Sequence, residues 1–69
     1  MNHVTFTIEL TDAEAWELAQ FIKRVRFDQC CELTESWRSR PEREEQAYRM
    51  LYALDQVAGA LKIVGYAPR

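Results

Sequence analysis

Residues 41–65 read PEREEQAYRMLYALDQVAGALKIVG. Apolar residues recur in this stretch at steps of three and four, which places them on one side of a helix with 3.6 residues per turn. They are Ala47, Met50, Leu51, Leu54, Val57, Ala58, Leu61 and Val64. The spacing predicts one long helix, with Leu54 at the centre of the largest apolar face in the chain.

Both ends of this helix carry terminal signals. Ser39 is a candidate N-cap, Pro41 suits the first turn, and acidic residues follow at the positive end of the helix dipole. Lys62 suits the last turn, and Gly65 followed by Pro68 predicts a left-handed cap and a stop. The rest of the fold must be explained by what packs on the apolar face between these ends.

Residues 3–10, HVTFTIEL, alternate strictly between polar and apolar side chains. This alternation predicts a half-buried β-strand. The sequence shows no second strand, and a lone strand leaves its backbone donors and acceptors unpaired. We therefore expect the strand to pair with its copy across a homodimer. The residues expected in that pairing are Thr5, Phe6, Thr7, Ile8 and Glu9.

Thr11 and Glu14 match a capping box, which predicts a first helix that runs to about Arg26. Its expected apolar residues are Ala15, Leu18, Phe21, Ile22 and Val25, with Trp16 at the edge of the face. Residues 27–40 either continue this helix or form a short helical segment after a break near Phe27, and we favour the break. A turn over residues 36–40 then precedes the long helix. The predicted fold class is α+β, in a single domain over residues 1–69.

Composition excludes several classes of protein. The chain is 48% apolar, has a net charge of −2 and a pI of about 5.3, and so does not resemble a nucleic-acid binder, which is usually basic. It has neither an apolar run long enough to cross a membrane nor a secretory signal, so we expect a cytoplasmic protein without membrane contact. A core of this size supplies only about 3–5 kcal/mol, which favours stabilisation by a partner chain.

Residues that could support catalysis are few. Cys30 and Cys31 are adjacent, which suits two small helical thiols better than a disulfide, although a redox switch is an alternative. His3 is the only histidine, and no nucleophile is accompanied by a defined base. We expect no enzymatic activity, no metal site and no cofactor.

Charged residues surround Trp37 in the region before the long helix. The members of this set are Glu32, Glu35, Arg38, Arg40, Glu42, Glu44 and Glu45. One interpretation is a solvated turn with salt bridges, in which Trp37 folds inward onto the long helix. The other is a partner-binding surface, because an aromatic anchor among arginines and acids is a typical hot-spot composition.

The predicted strand, followed by Leu10-Thr11-Asp12 at the opening of a helix, resembles the start of ribbon-helix-helix repressors over residues 5–22. In that family two strands pair across a dimer and read DNA with outward side chains. The outward positions here are Thr5, Thr7 and Glu9, and Glu9 carries the wrong sign for contact with phosphate. This resemblance implies a DNA-binding regulator as the alternative function.

The strand opening, the Thr-Asp-x-x-Ala helix start and the ending Gly65-Tyr66-Ala67-Pro68-Arg69 resemble short proteins of phages and prophages. Small acidic phage proteins include anti-CRISPR inhibitors, which bind a host protein. The resemblance implies a non-catalytic protein-binding module that recognises a host or phage protein. Its most concrete form is a small phage-type inhibitor of a bacterial CRISPR-Cas defence complex.

Overall fold

The computed structural model describes residues 2–67, and this part of the chain contains three helices. They are α1 (Asp12–Arg24), α2 (Phe27–Glu32) and α3 (Arg40–Ile63). α3 packs against both other helices, so it forms the centre of the fold as its sequence predicted. Within the described residues, no helix has both the length and the apolar character needed to cross a membrane.

The predicted N-terminal strand is wrong, and so is the α+β fold class. Residues 2–67 contain no strand, and residues 2–10 form an exposed segment outside regular secondary structure. Val4 is 85% exposed and Phe6 72% exposed, so the predicted half-buried face is not buried. Alternation shows which side chains can share a face, but a strand also needs a backbone partner, and the three helices offer none.

The helix starts match the sequence signals. The Thr11 backbone N–H donates to Glu14 Oε1 (2.8 Å), and the Glu14 N–H donates to Thr11 Oγ1 (3.1 Å), which completes the capping box. The Glu42 N–H donates to Ser39 Oγ at 3.4 Å, which caps α3. These caps satisfy backbone donors that have no partner inside a helix.

The favoured break after the first helix is confirmed, slightly earlier than expected. α1 ends at Arg24, and Val25 and Arg26 are extended before α2 begins at Phe27. The Arg26 N–H donates to Gln29 Oε1 (2.9 Å) at the start of α2. α3 begins at Arg40, one residue before the proline.

The C-terminal cap of α3 is a Schellman motif. Gly65 has φ +102°, the Tyr66 N–H donates to the Leu61 carbonyl (2.8 Å), and the Gly65 N–H donates to the Lys62 carbonyl (3.1 Å). Glycine reaches this left-handed conformation without the steric cost of a Cβ atom. The predicted stop at Pro68 lies outside the described residues.

The core between α1 and α3 is small. Ala15, Ala19 and Leu61 are buried, and the partly buried residues packed against them are Leu18, Ile22, Val57 and Tyr66. The predicted apolar face of α3 is buried at Ala47 near its start and at Leu61 near its end, whereas Leu54 at its centre is half-buried. Val64 is exposed because the helix has already ended at Ile63.

Polar contacts fix the helices to one another. Tyr66 donates its hydroxyl hydrogen to Asp12 Oδ1 (2.5 Å), and its ring packs edge-on against Trp16 (5.1 Å between centroids). Arg43 of α3 donates to Thr34 Oγ1 (2.9 Å) and to the Cys31 carbonyl (3.2 Å). The first set joins the end of α3 to the start of α1, and the second joins α3 to the end of α2.

Candidate protein-binding surface

Trp37 lies in the loop between α2 and α3 and points into solvent. It is 75% exposed, so Trp37 does not fold inward onto α3, whereas the salt bridges of a solvated turn are present. A side chain of this size usually keeps more of its apolar surface away from water. Its exposure makes the loop a candidate binding site, and we call Trp37 with Glu35, Arg38 and Glu42 the Trp37 surface.

Arg38 connects the members of this surface. Its guanidinium carbon lies 4.5 Å from the centroid of the Trp37 ring, within the range of a cation–π contact. The same guanidinium donates to Glu35 Oε2 at 2.8 Å and to Glu42 Oε2 at 3.2 Å. These contacts raise the pKa of Arg38, chiefly through the hydrogen bond to Glu35. One arginine thus holds two carboxylates and lies over the indole.

Hydrogen bonds to helix α3 hold the loop that carries the Trp37 surface. The Ser39 hydroxyl donates to Glu42 Oε1 (2.7 Å), and this bond, followed by the bond from Arg38, lowers the pKa of Glu42. The Glu35 backbone N–H donates to Gln46 Oε1 at 3.4 Å. The loop is therefore attached to the first two turns of α3 at two points, which restricts the positions open to Trp37.

The other residues predicted to bind a partner lie outside this cluster. Arg40 pairs with Glu44 at 3.2 Å along the exposed side of α3, and Glu45 pairs with Arg49 one turn further on. Glu32 ends α2 and lines a separate groove with Phe21 and Leu33. The structure therefore brings together four of the eight predicted residues.

An aromatic stripe on the outer side of α3 was not predicted from the sequence. Tyr48 and Tyr52 stack with their centroids 6.2 Å apart, and Phe27 of α2 lies 4.5 Å from the Tyr48 ring. Both tyrosines are exposed. Their spacing of four residues in a predicted helix is a signal that could have identified the stripe.

The Trp37 surface has chemical features of a recognition site. Among the described residues, no group of three or more His, Cys, Asp or Glu side chains is placed to hold a metal ion. Cys30 is buried and both cysteines are free thiols. An indole held beside a fixed guanidinium offers a flat apolar contact and directed hydrogen-bond donors, which are features of protein–protein hot spots.

Comparisons with known proteins give a family but no activity. No curated protein and no solved structure shows significant similarity to the chain. The resemblance to phage proteins and to anti-CRISPR inhibitors is not supported by these comparisons and stays a prediction. Residues 1–69 match a family of unknown function, DUF7706, and the chain therefore belongs to that family.

Proposed function

We propose that the protein is a non-catalytic protein-binding module and that it engages its partner through the Trp37 surface. The observation that carries this proposal is the exposed indole, which is stacked by Arg38 while two carboxylates hold that arginine in place. Interfaces concentrate their binding energy in a few aromatic and arginine side chains, and this cluster contains both.

The rigidity of the cluster supports the proposal. Arg38 keeps only about a third of its side chain exposed, and its ion pairs with Glu35 and Glu42 fix the guanidinium before any partner arrives. A side chain that is ordered in the free protein loses less entropy on binding. The ion pairs themselves are solvent-exposed and add little to the stability of the fold, so their main effect is to orient the surface.

The charge around Trp37 favours a protein partner over a nucleic acid. Two carboxylates accompany one guanidinium in the cluster, and the whole chain carries a net charge of −2. The carboxylates of the cluster repel phosphates that approach it. A partner with an apolar pocket for the indole and basic residues at its rim fits the same surface.

The most concrete form of the proposal is an inhibitor that blocks a bacterial defence complex by occupying one of its protein surfaces, as the resemblance to phage proteins implies. The alternative, a ribbon-helix-helix-like regulator of transcription, depends on an N-terminal strand. Residues 2–10 are not a strand in the structure, so the element that carried that resemblance is missing.

Affinity capture from a bacterial lysate tests the proposal when the wild-type protein is compared with Trp37→Ala. We expect the wild type to retain a protein partner after nuclease treatment and the variant to lose it, with an affinity for the recovered partner at least about tenfold weaker. Tyr52→Ala is the matched control, because it removes an exposed aromatic ring that lies on α3, away from the Trp37 surface. Capture that depends on nucleic acid, or equal affinity of the wild type and Trp37→Ala, would refute the proposal.

A further inference from the structure

An apolar groove lies at the other end of α3, between its last turns and α1. Leu18, Val57, Leu61, Val64 and Tyr66 line it, and residues 6–10 of the same chain line it as well. The groove has a volume of about 570 Å³, and Glu9 is the only charged residue among those that line it. We call residues 2–10 the arm, because they extend from the helical body without regular structure.

Exposure rises steadily along the arm towards its N-terminal end. Leu10 is 40% exposed, Ile8 57%, Phe6 72% and Val4 85%. The arm therefore leaves its own groove progressively, and its outer apolar side chains have nothing in the described chain to cover them. An extended segment of six residues spans about 20 Å, which is long enough to reach a neighbouring molecule.

The total accessible surface of the chain indicates how much surface a partner chain could bury. The accessible area is 6029 Å², whereas a compact monomer of 8.2 kDa exposes about 4,500 Å². This excess of about 1,500 Å² is spread over the molecule, and it is larger than the roughly 800 Å² that each partner contributes to a standard protein interface. The exposed surface is therefore sufficient for a stable homodimer interface.

We propose that a second copy of the chain covers this region, with the arm of each protomer lying in the groove of the other. The contact is made by side chains against a helical groove, so it needs neither a strand nor the backbone ladder expected from the sequence. It is reciprocal, as a two-fold dimer requires. Apart from the exposed Glu9 of each protomer, the residues that line the groove are uncharged, so the contact brings few charges together.

This interface is independent of the proposed partner site. The groove involves residues 57–64 at the end of α3, whereas Trp37 precedes the first turn of the helix. The start of α3 and the first groove residue, Val57, are about 25 Å apart along the helix axis. A dimer built on the arms leaves both Trp37 surfaces open, so the dimer can fail without affecting the proposed function, and the reverse also holds.

Sedimentation velocity of the full-length protein tests the proposal. The wild type should sediment at twice the monomer mass of 8.2 kDa at micromolar concentration. The variant Phe6→Ser/Ile8→Ser should weaken dimerisation by roughly 100-fold or more, because each dimer loses four apolar contacts. Both side chains are exposed and lie outside the helices, so circular dichroism should show unchanged helix content in this variant.

The control is Leu33→Ser/Tyr52→Ser, which removes two exposed apolar side chains away from the groove and should change the dimer constant by no more than about threefold. A photo-crosslinking amino acid at position 6, in a mixture of ¹⁴N and ¹⁵N protein, should join the arm of one chain to residues 57–66 of the other. A monomeric wild type, an arm variant that dimerises normally, or crosslinks only within one chain would overturn the proposal.

Discussion

Tyr66 shows how one side chain contributes to the fold. Its hydroxyl group donates a hydrogen bond to Asp12 across the junction of α1 and α3, and this bond, followed by desolvation, raises the pKa of Tyr66 above the ordinary value of 10.0. The hydrogen bond is therefore a source of stability that is fully present below pH 10. It is lost as the pH rises through the elevated pKa of the folded state.

Tyr66→Phe should test this contribution, because it removes the hydroxyl group and keeps the ring that packs on Trp16. We expect the wild type to have the higher midpoint in urea at pH 8, and the difference between the two proteins to shrink as the pH rises above 10. Other tyrosines and lysines ionise in the same pH range in both proteins, so their effect cancels in the difference between the two midpoints. A difference that stays constant from pH 8 to pH 11 would contradict the role of the hydroxyl group.

Among the secondary structure elements, the helix caps could be predicted because they depend on neighbouring residues. Features that depend on residues far apart in the chain could not. The Thr11–Glu14 capping box and the Ser39 cap each link residues three apart, so the sequence contains all the partners involved. A strand needs hydrogen bonds to the backbone of a second segment. Alternation of polar and apolar residues does not show whether such a segment exists. The contacts of Arg43 with Thr34 and Cys31 and the exposure of Trp37 both depend on how α2 packs against α3. That packing joins residues far apart in the sequence, so no short stretch of sequence predicts it.

The junction of α1 and α3 depends most on Leu61, the largest side chain in its buried cluster. Leu61→Ala should lower the free energy of unfolding by about 2–4 kcal/mol, through lost burial and the cavity left behind. Because a domain of this size has only about 3–5 kcal/mol to lose, we expect a large loss of helical circular dichroism at 25 °C. Leu33→Ala is the control, since Leu33 is exposed and its loss should cost less than about 0.5 kcal/mol. Equal melting of both variants would show that Leu61 does not anchor the core.

At the scale of the whole molecule, the chain is thin and extended. Its principal extents are 39 × 28 × 15 Å, and its radius of gyration of 13.7 Å exceeds the value of about 11 Å expected for a compact chain of this length. Among residues 2–67, no large side chain is fully buried. The short chain length predicts a small core that favours a partner chain. The structure adds that exposed apolar side chains lie along the arm and its groove, and also at Phe21, Leu33, Trp37 and the two tyrosines of α3.

If a second chain completes the core, thermal unfolding depends on protein concentration, and this dependence can be measured. Folding coupled to dimerisation is favoured by mass action, so the midpoint of unfolding should rise by several degrees as the wild-type concentration increases from about 0.5 to 200 µM. The variant Phe6→Ser/Ile8→Ser should melt at a lower temperature, with a weaker dependence on concentration. A wild-type midpoint that stays constant over this range would show that the chain folds alone and would contradict the account.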